Sequence, residues 1–186
     1  MIRNGIGGGN TQTGIRFEGR VDIVNYLNQN ITGYSCVQRP FIRRKSMGYD
    51  ISYLNTVVAT SFKKHELYRF LETQNIDWTA ILSKKILPDD AIYVINNNTI
   101  FILEVKYQEV AGSVDEKLQT CGFKLHQYQR LFAQLNYEVQ YIYILNNWFR
   151  DPKYQDTLDY IHTMNCSYYF EYLPLQRIGL PVPNAE

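Results

Sequence analysis

Charge at the end of a wholly apolar strand constrains this chain more than any other feature. Ile100, Phe101, Ile102 and Leu103 form an unbroken apolar run, and Glu104, Val105 and Lys106 follow at once. A run without polar alternation reads as a strand covered on both faces, which places it in the middle of a sheet. Ionised groups at the end of such a strand cost several kcal/mol unless they are paired or hold a cation. Strand side chains alternate, so Glu104 and Lys106 share a face.

The residues upstream bring a second carboxylate to the same place. AIYVI (91–95) is a short β-type run, and Asn96, Asn97 and Asn98 supply turn chemistry because asparagine tolerates left-handed backbone. TIFILEVKY (99–107) is then the return strand of a hairpin. The hairpin carries Pro88-Asp89-Asp90 back beside Glu104. Either carboxylate of the doubled Asp can be the one delivered: Asp89 follows Pro88 directly, and Asp90 shares a face with Ile92 and Val94.

Two carboxylates and an ammonium at one spot suit metal-assisted phosphodiester hydrolysis. Mg²⁺ prefers carboxylate and carbonyl oxygens and retains several waters. Asp89 and Glu104 offer carboxylates, and the carbonyl of Val105 adds an oxygen. Lys106 is placed to orient or deprotonate a water and to stabilise the transition state. With only 3 His in the chain, a histidine-based phosphatase or zinc hydrolase has little to build from. His65, His126 and His162 share no ligand spacing and read as structural or surface residues.

The remaining sequence implies an α/β domain around a mixed sheet. Its 186 residues suit one domain, 1–186, with a Gly-rich lead over 1–12 and a proline-bearing irregular tail over 174–186. An apolar stripe of Phe17, Val21, Val24 and Leu27 predicts a helix over 15–29, ended by Gly33. RPFIRRKS (39–46) reads as a basic loop, and 50–74 is helical in pattern, with a break near 61–64. A long helix is expected over 115–135, with Leu118, Cys121, Leu125, Tyr128, Phe132 and Leu135 on one face. VQYIYIL (139–145) reads as a buried strand. Asp151 and Pro152 form the start of another helix, and SYYFEYL (167–173) is a closing strand. Its tyrosines and those of YIYIL (141–145) are read as packing residues rather than a base-stacking platform.

No apolar run approaches the 18 residues of a membrane span. The opening MIRNGIGGGN lacks the apolar segment and cleavage site of a secretory signal. Cys36, Cys121 and Cys166 are scattered without a CxxC pair, so a disulfide framework and a Cys/His zinc site are not expected, and a cytoplasmic setting is.

At the hairpin, the sequence resembles the PD-(D/E)XK nuclease superfamily. The resemblance rests on PD…ExK across two strands, with a helix before and helix–strand–helix–strand after, and it spans residues 13–173. The block EVKYQEVAGSVDEKLQTCGFKLHQYQRL extends it, because an ExK strand, a Gly-Ser turn and an amphipathic helix occur in type II restriction endonucleases. PDDAIYV resembles the cleavage domains of type IIS enzymes, which cut at a distance from the sequence recognised. The length, the opening and this central block are similar to small catalytic subunits of heterodimeric type IIS enzymes. This resemblance implies a restriction-endonuclease-like core, Mg²⁺ dependence and cleavage of one strand of duplex DNA. It also implies a larger partner subunit that recognises the DNA and nicks the other strand. Carried over by position, Asp89, Glu104 and Lys106 fall on the motif. The residue directly after proline is the usual ligand, which favours Asp89 over Asp90. Many relatives add a glutamate from the first helix, and GIRFEGRV offers Glu18.

The charge distribution bears on the same reading. Net charge is +1 overall, yet residues 1–48 carry seven basic and two acidic side chains, leaving a net −4 on the remainder. Arg39, Arg43, Arg44 and Lys45 are candidate contacts to the DNA backbone. Gln119, Lys124 and Gln127 on the long helix are candidate phosphate contacts. Nothing resembles a helix-turn-helix or zinc finger, which suits a subunit that borrows its specificity. The competing expectations are a homodimeric structure-specific nuclease, such as a junction resolvase, and a non-catalytic partner protein of the same fold.

Overall fold

A computed structural model describes residues 14–16, 22–109 and 114–183. The architecture is α/β, with a mixed seven-stranded sheet flanked by helices. The sheet runs in the order β2 (Tyr34–Gln38), β3 (Tyr49–Tyr53), β4 (Thr56–Phe62), β5 (Asp90–Val94), β6 (Thr99–Lys106), β7 (Glu138–Leu145) and β8 (Ser167–Phe170). The pairings from β2 through to β6 are antiparallel, whereas β6 pairs parallel with β7 and β7 with β8. A short β1 (Gly14–Arg16) pairs with β9 (Tyr172–Pro174) in a separate ribbon.

The apolar run behaves as its composition demands. Ile100 and Ile102 enter one core layer and Phe101 and Leu103 the opposite one. The first layer is covered by α2 (His65–Thr73), α4 (Cys121–Phe132) and α5 (Gln155–Thr163). The second is covered by α1 (Ile23–Asn30), the β1–β9 ribbon and a 3₁₀ turn at Leu175–Ile178. The registers fix where strand ends gather. The C-terminal ends of β2, β4 and β6 and the N-terminal ends of β3 and β5 all lie at one end of the sheet.

Several sequence expectations are corrected. Residues 50–62 form two strands rather than a helix, and only α2 is helical there. Their apolar spacing mimics a helix, but Thr56, Val57, Val58 and Thr60 are β-branched and favour strands. Leu54 and Asn55, both with positive φ, make the turn between β3 and β4. Ile15 pairs with Leu173 in the ribbon instead of opening a helix, and α1 starts only after its N-cap Asp22, whose side chain accepts from the Asn25 amide. Phe17, Glu18 and Val21 lie outside the described residues.

The long helix is interrupted between α3 (Val114–Leu118) and α4, where the Thr120 hydroxyl donates to the Lys117 carbonyl (2.7 Å). The closing strand splits at Glu171, whose φ of 54° turns the chain out of the main sheet and into the ribbon. Pro174 ends β9 and residues 175–178 make a 3₁₀ turn, so the tail is more regular than its prolines suggest. Among the described residues no helix is long and apolar enough to cross a membrane. The three cysteines are free thiols.

Candidate functional site

The antiparallel register decides which aspartate meets Glu104. Asp90 pairs with Leu103, so both face the α1 layer. Asp89, one residue earlier, falls opposite Glu104 and shares its face. Its Oδ2 accepts the Val105 amide (3.1 Å) and lies 3.9 Å from Lys106 Nζ. The Val105 N–H therefore points toward Asp89. Amide and carbonyl of one strand residue leave on the same side of the strand, so the Val105 carbonyl points that way too.

Glu104 is the buried member. It is 4% exposed, and each carboxylate oxygen meets a lysine. Oε2 lies 2.6 Å from Lys106 Nζ, and Oε1 lies 3.0 Å from Lys124 Nζ, reaching across from α4. Burial raises the Glu104 carboxyl, but the attraction and hydrogen bonds of Lys106 and Lys124 outweigh it and hold the group below the usual carboxylate range. Glu104 is therefore an anion at neutral pH. Asp89 is the open member, with 47% of its side chain exposed. The site has a buried, charge-balanced floor and a solvent-facing rim.

Surrounding elements fix these side chains. Ile86, just before the Pro88-Asp89 step, is clamped by two buried tyrosines. Its carbonyl accepts from Tyr68 of α2 and Tyr128 of α4 (both 2.9 Å), and its amide donates back to the Tyr68 hydroxyl (2.8 Å). Beyond Lys106, Asn146 takes the Lys106 carbonyl through its amide and bonds both backbone groups of Gln108. Lys124 lies over the Tyr141 ring, 6.0 Å from its centroid. Lys124 and Tyr128 are one helical turn apart, so one face of α4 holds both the buried carboxylate and the approach to Asp89. The tyrosines of β7 read as packing residues do pack, since Tyr141 and Tyr143 are buried.

Asp89, Glu104, Val105 and Lys106 thus come together, and Lys124 joins them in a role the sequence reading missed. It contacts Glu104 rather than standing on a free helix face. Spacing carried a signal, because Lys124 and Tyr128 follow the core positions Cys121 and Leu125 by three. Gln119 is exposed and Gln127 accepts from Arg130 (2.9 Å). All three histidines are exposed. Glu18 lies outside the described residues. Arg39, Arg43, Arg44 and Lys45 stand apart from the carboxylates, on the β2–β3 connection.

The donor set fits a hard cation. It consists of oxygens only, and the Lys106 ammonium already sits between the two carboxylates where a cation would. Among the described residues no three His, Cys, Asp or Glu side chains gather at one metal-binding point. Mg²⁺ does not require three, since it commonly takes one or two carboxylates and fills its remaining positions with water and substrate oxygens.

Asp90 has a different environment. It is 6% exposed and its Oδ1 has no hydrogen-bond partner among the described residues. Burial pushes its carboxyl up to about 7, offset in part by Lys63 and reinforced by the negative charges of Asp22, Asp89 and Glu66. Lys63 itself is engaged by Asp22 (2.7 Å). A carboxyl raised by folding stabilises the fold below its unfolded pKa, and that contribution is lost as pH rises through the folded value. Between about pH 4 and pH 7, Asp90 should therefore lower stability as pH increases. Asp90→Asn should flatten this dependence and be the more stable protein above pH 7. Thermal melts of both proteins in EDTA at pH 5 and pH 8 measure the difference, and identical pH dependence would contradict it.

Comparison with protein-family models, curated proteins and solved structures returns no match.

Proposed function

We propose that this chain is a Mg²⁺-dependent DNA endonuclease subunit with a restriction-endonuclease-like core. In this reading it cuts one strand of a duplex at a distance from a sequence read by a larger partner subunit. The observation that carries the proposal is the buried Glu104. An anion at the end of a central strand, faced by Asp89 across a tight hairpin and balanced by two lysines, is costly to build for structure alone. A buried carboxylate held ionised by two lysines beneath a solvent-open rim marks a candidate reaction centre.

Asp89, Glu104 and the Val105 carbonyl would hold the cation. When bound, Mg²⁺ polarises the phosphoryl group and acidifies a water. The residues of the chain do the rest. Lys106 orients the attacking water and stabilises negative charge developing on the phosphate. The bond formed joins water oxygen to phosphorus, with the water's proton passing to solvent, and the bond broken joins phosphorus to a sugar oxygen, which takes its proton from solvent. Lys124 acts through Glu104, fixing the carboxylate and keeping it ionised. Ile86, held by Tyr68 and Tyr128, sets the position of Asp89.

The lysines separate these roles. Lys106→Met should lower cleavage by about 10³-fold, and Lys124→Met by about 10-fold to 100-fold, the usual range for a residue supporting a ligand rather than acting directly. Losing Lys124 should also shift the acid limb of the pH–rate profile upward, because Glu104 then takes up a proton more readily. Single-turnover cleavage across pH 5 to 9 measures both. Cleavage undiminished in Lys106→Met would rule out the assigned chemistry.

A further inference from the structure

The connection between β2 and β3 forms a projecting arm at the same end of the sheet as Asp89 and Glu104. Its base is pinned. The Gln38 amide donates to Ser46 Oγ (2.9 Å) and to the Gly48 carbonyl (3.1 Å), and Arg69 of α2 donates to the Ser46 carbonyl (2.7 Å). The Ser46 hydroxyl donates to Glu66, Met47 is buried, and Arg39 pairs with Asp50 (3.3 Å). The tip is open. Ile42 and Lys45 bridge across a two-residue turn made by Arg43 and Arg44. Arg43, Arg44 and Lys45 are exposed and make no ion pair among the described residues. Phe41 is 59% and Ile42 48% exposed, directly beside them.

Three unpaired cations around two exposed apolar side chains, on a rigid base, have the chemistry of a duplex-binding wedge. Cations neutralise phosphates, and an apolar side chain such as Phe or Ile can enter between base steps. We propose that this arm docks duplex DNA, with Arg43, Arg44 and Lys45 on the phosphates and Phe41, backed by Ile42, against the base stack. The inference rests on the nuclease reading for its choice of duplex DNA as ligand. Geometry supports the pairing, since β2 and β6 are four strand spacings apart, about 19 Å, or roughly six base-pair steps. One duplex can therefore reach both the arm and the carboxylates.

The test measures binding without chemistry, so that it is separable from the nuclease reading. The full chain in EDTA is titrated into a 30-base-pair duplex carrying 2-aminopurine, over a series of salt concentrations. Replacing Arg43, Arg44 and Lys45 together by Ala should reduce the slope of log K against log[salt] by about 2 to 3, near one per phosphate contact. Arg43→Lys with Arg44→Lys should keep the slope, because the charge is retained. Phe41→Ala with Ile42→Ala should keep the slope but lose the rise in 2-aminopurine emission that marks an unstacked base.

An unchanged slope in the triple Ala variant would overturn the proposal and leave the apolar tip to a protein partner. So would an undetectable complex with wild-type chain at low salt. Binding with an arm-dependent slope, but no Mg²⁺-dependent cleavage with the partner present, would leave the arm standing and sink the nuclease reading. Cleavage with an arm-independent slope would do the reverse.

Discussion

Glu104→Gln should abolish Mg²⁺-dependent strand cleavage, by about 10³-fold or more, while the fold survives. The substitution keeps the shape of the side chain and removes its charge. Both lysines that face it, Lys106 and Lys124, retain access to solvent, with 19% and 22% of their side chains exposed. Neither becomes a fully buried, unpaired ammonium, so the stability cost stays well below that of breaking a dry ion pair. The proposed cation site, in contrast, loses its one buried anion. The variant should melt within a few degrees of wild type and show no cleavage above background. Loss of cooperative melting would instead make Glu104 a structural residue, and retained cleavage would remove it from the reaction.

The second large effect lies away from the carboxylates. Gly48 closes the arm onto the sheet with φ of +87°, a region that side chains rarely adopt. A Cβ there would stand 2.1 Å from the Ser61 carbonyl oxygen, which belongs to the ladder of β4 with β3 and β5. That backbone cannot yield without breaking the sheet. Gly48→Ala should therefore cost about 3 kcal/mol or more, lowering the melting temperature by roughly 6–12 °C in a chain of this size. The Arg39 amide, which donates to the Gly48 carbonyl (2.9 Å), should lose its exchange protection as the base of the arm opens. A melt indistinguishable from wild type would show that the arm relaxes without strain.

The hairpin and the charged residues it gathers were legible in the sequence because they depend on local patterns. The apolar run into Glu104, the Asn turn and the two-residue alternation each act over a few residues. The pair Asp89 and Glu104 follows once the turn is placed. Asp89 and Asp90 could not be separated from sequence, because a one-residue change of register exchanges their faces. The observed pairing of Asp90 with Leu103 does separate them. Residues 50–62 were misread because apolar residues three and four apart satisfy a helix, while their β-branched neighbours and a Leu54-Asn55 turn satisfy a hairpin. Only the tertiary pairing with β5 decides.

Lys124 and the Tyr68–Ile86–Tyr128 clamp were not legible for another reason. Their partners are 18 to 42 residues away in sequence. No short motif encodes a contact between a helix and a loop that meet only when both pack on the same sheet. The basic run at 39–45 was visible as charge, but its position at the carboxylate end required the strand order. That order also refines the meaning of the +1 net charge. Four of the seven basic residues of 1–48, Arg39, Arg43, Arg44 and Lys45, stand on a connection at the same end of the sheet as Asp89 and Glu104.

The most direct test of the central claim is cleavage of a strand-labelled duplex by this chain with Mg²⁺, with and without a DNA-recognising large subunit. The account predicts a cut in one defined strand when the two proteins and Mg²⁺ are present together, and almost none when any is omitted. Specific double-strand cleavage by this chain alone, or no cleavage with every component present, would contradict it.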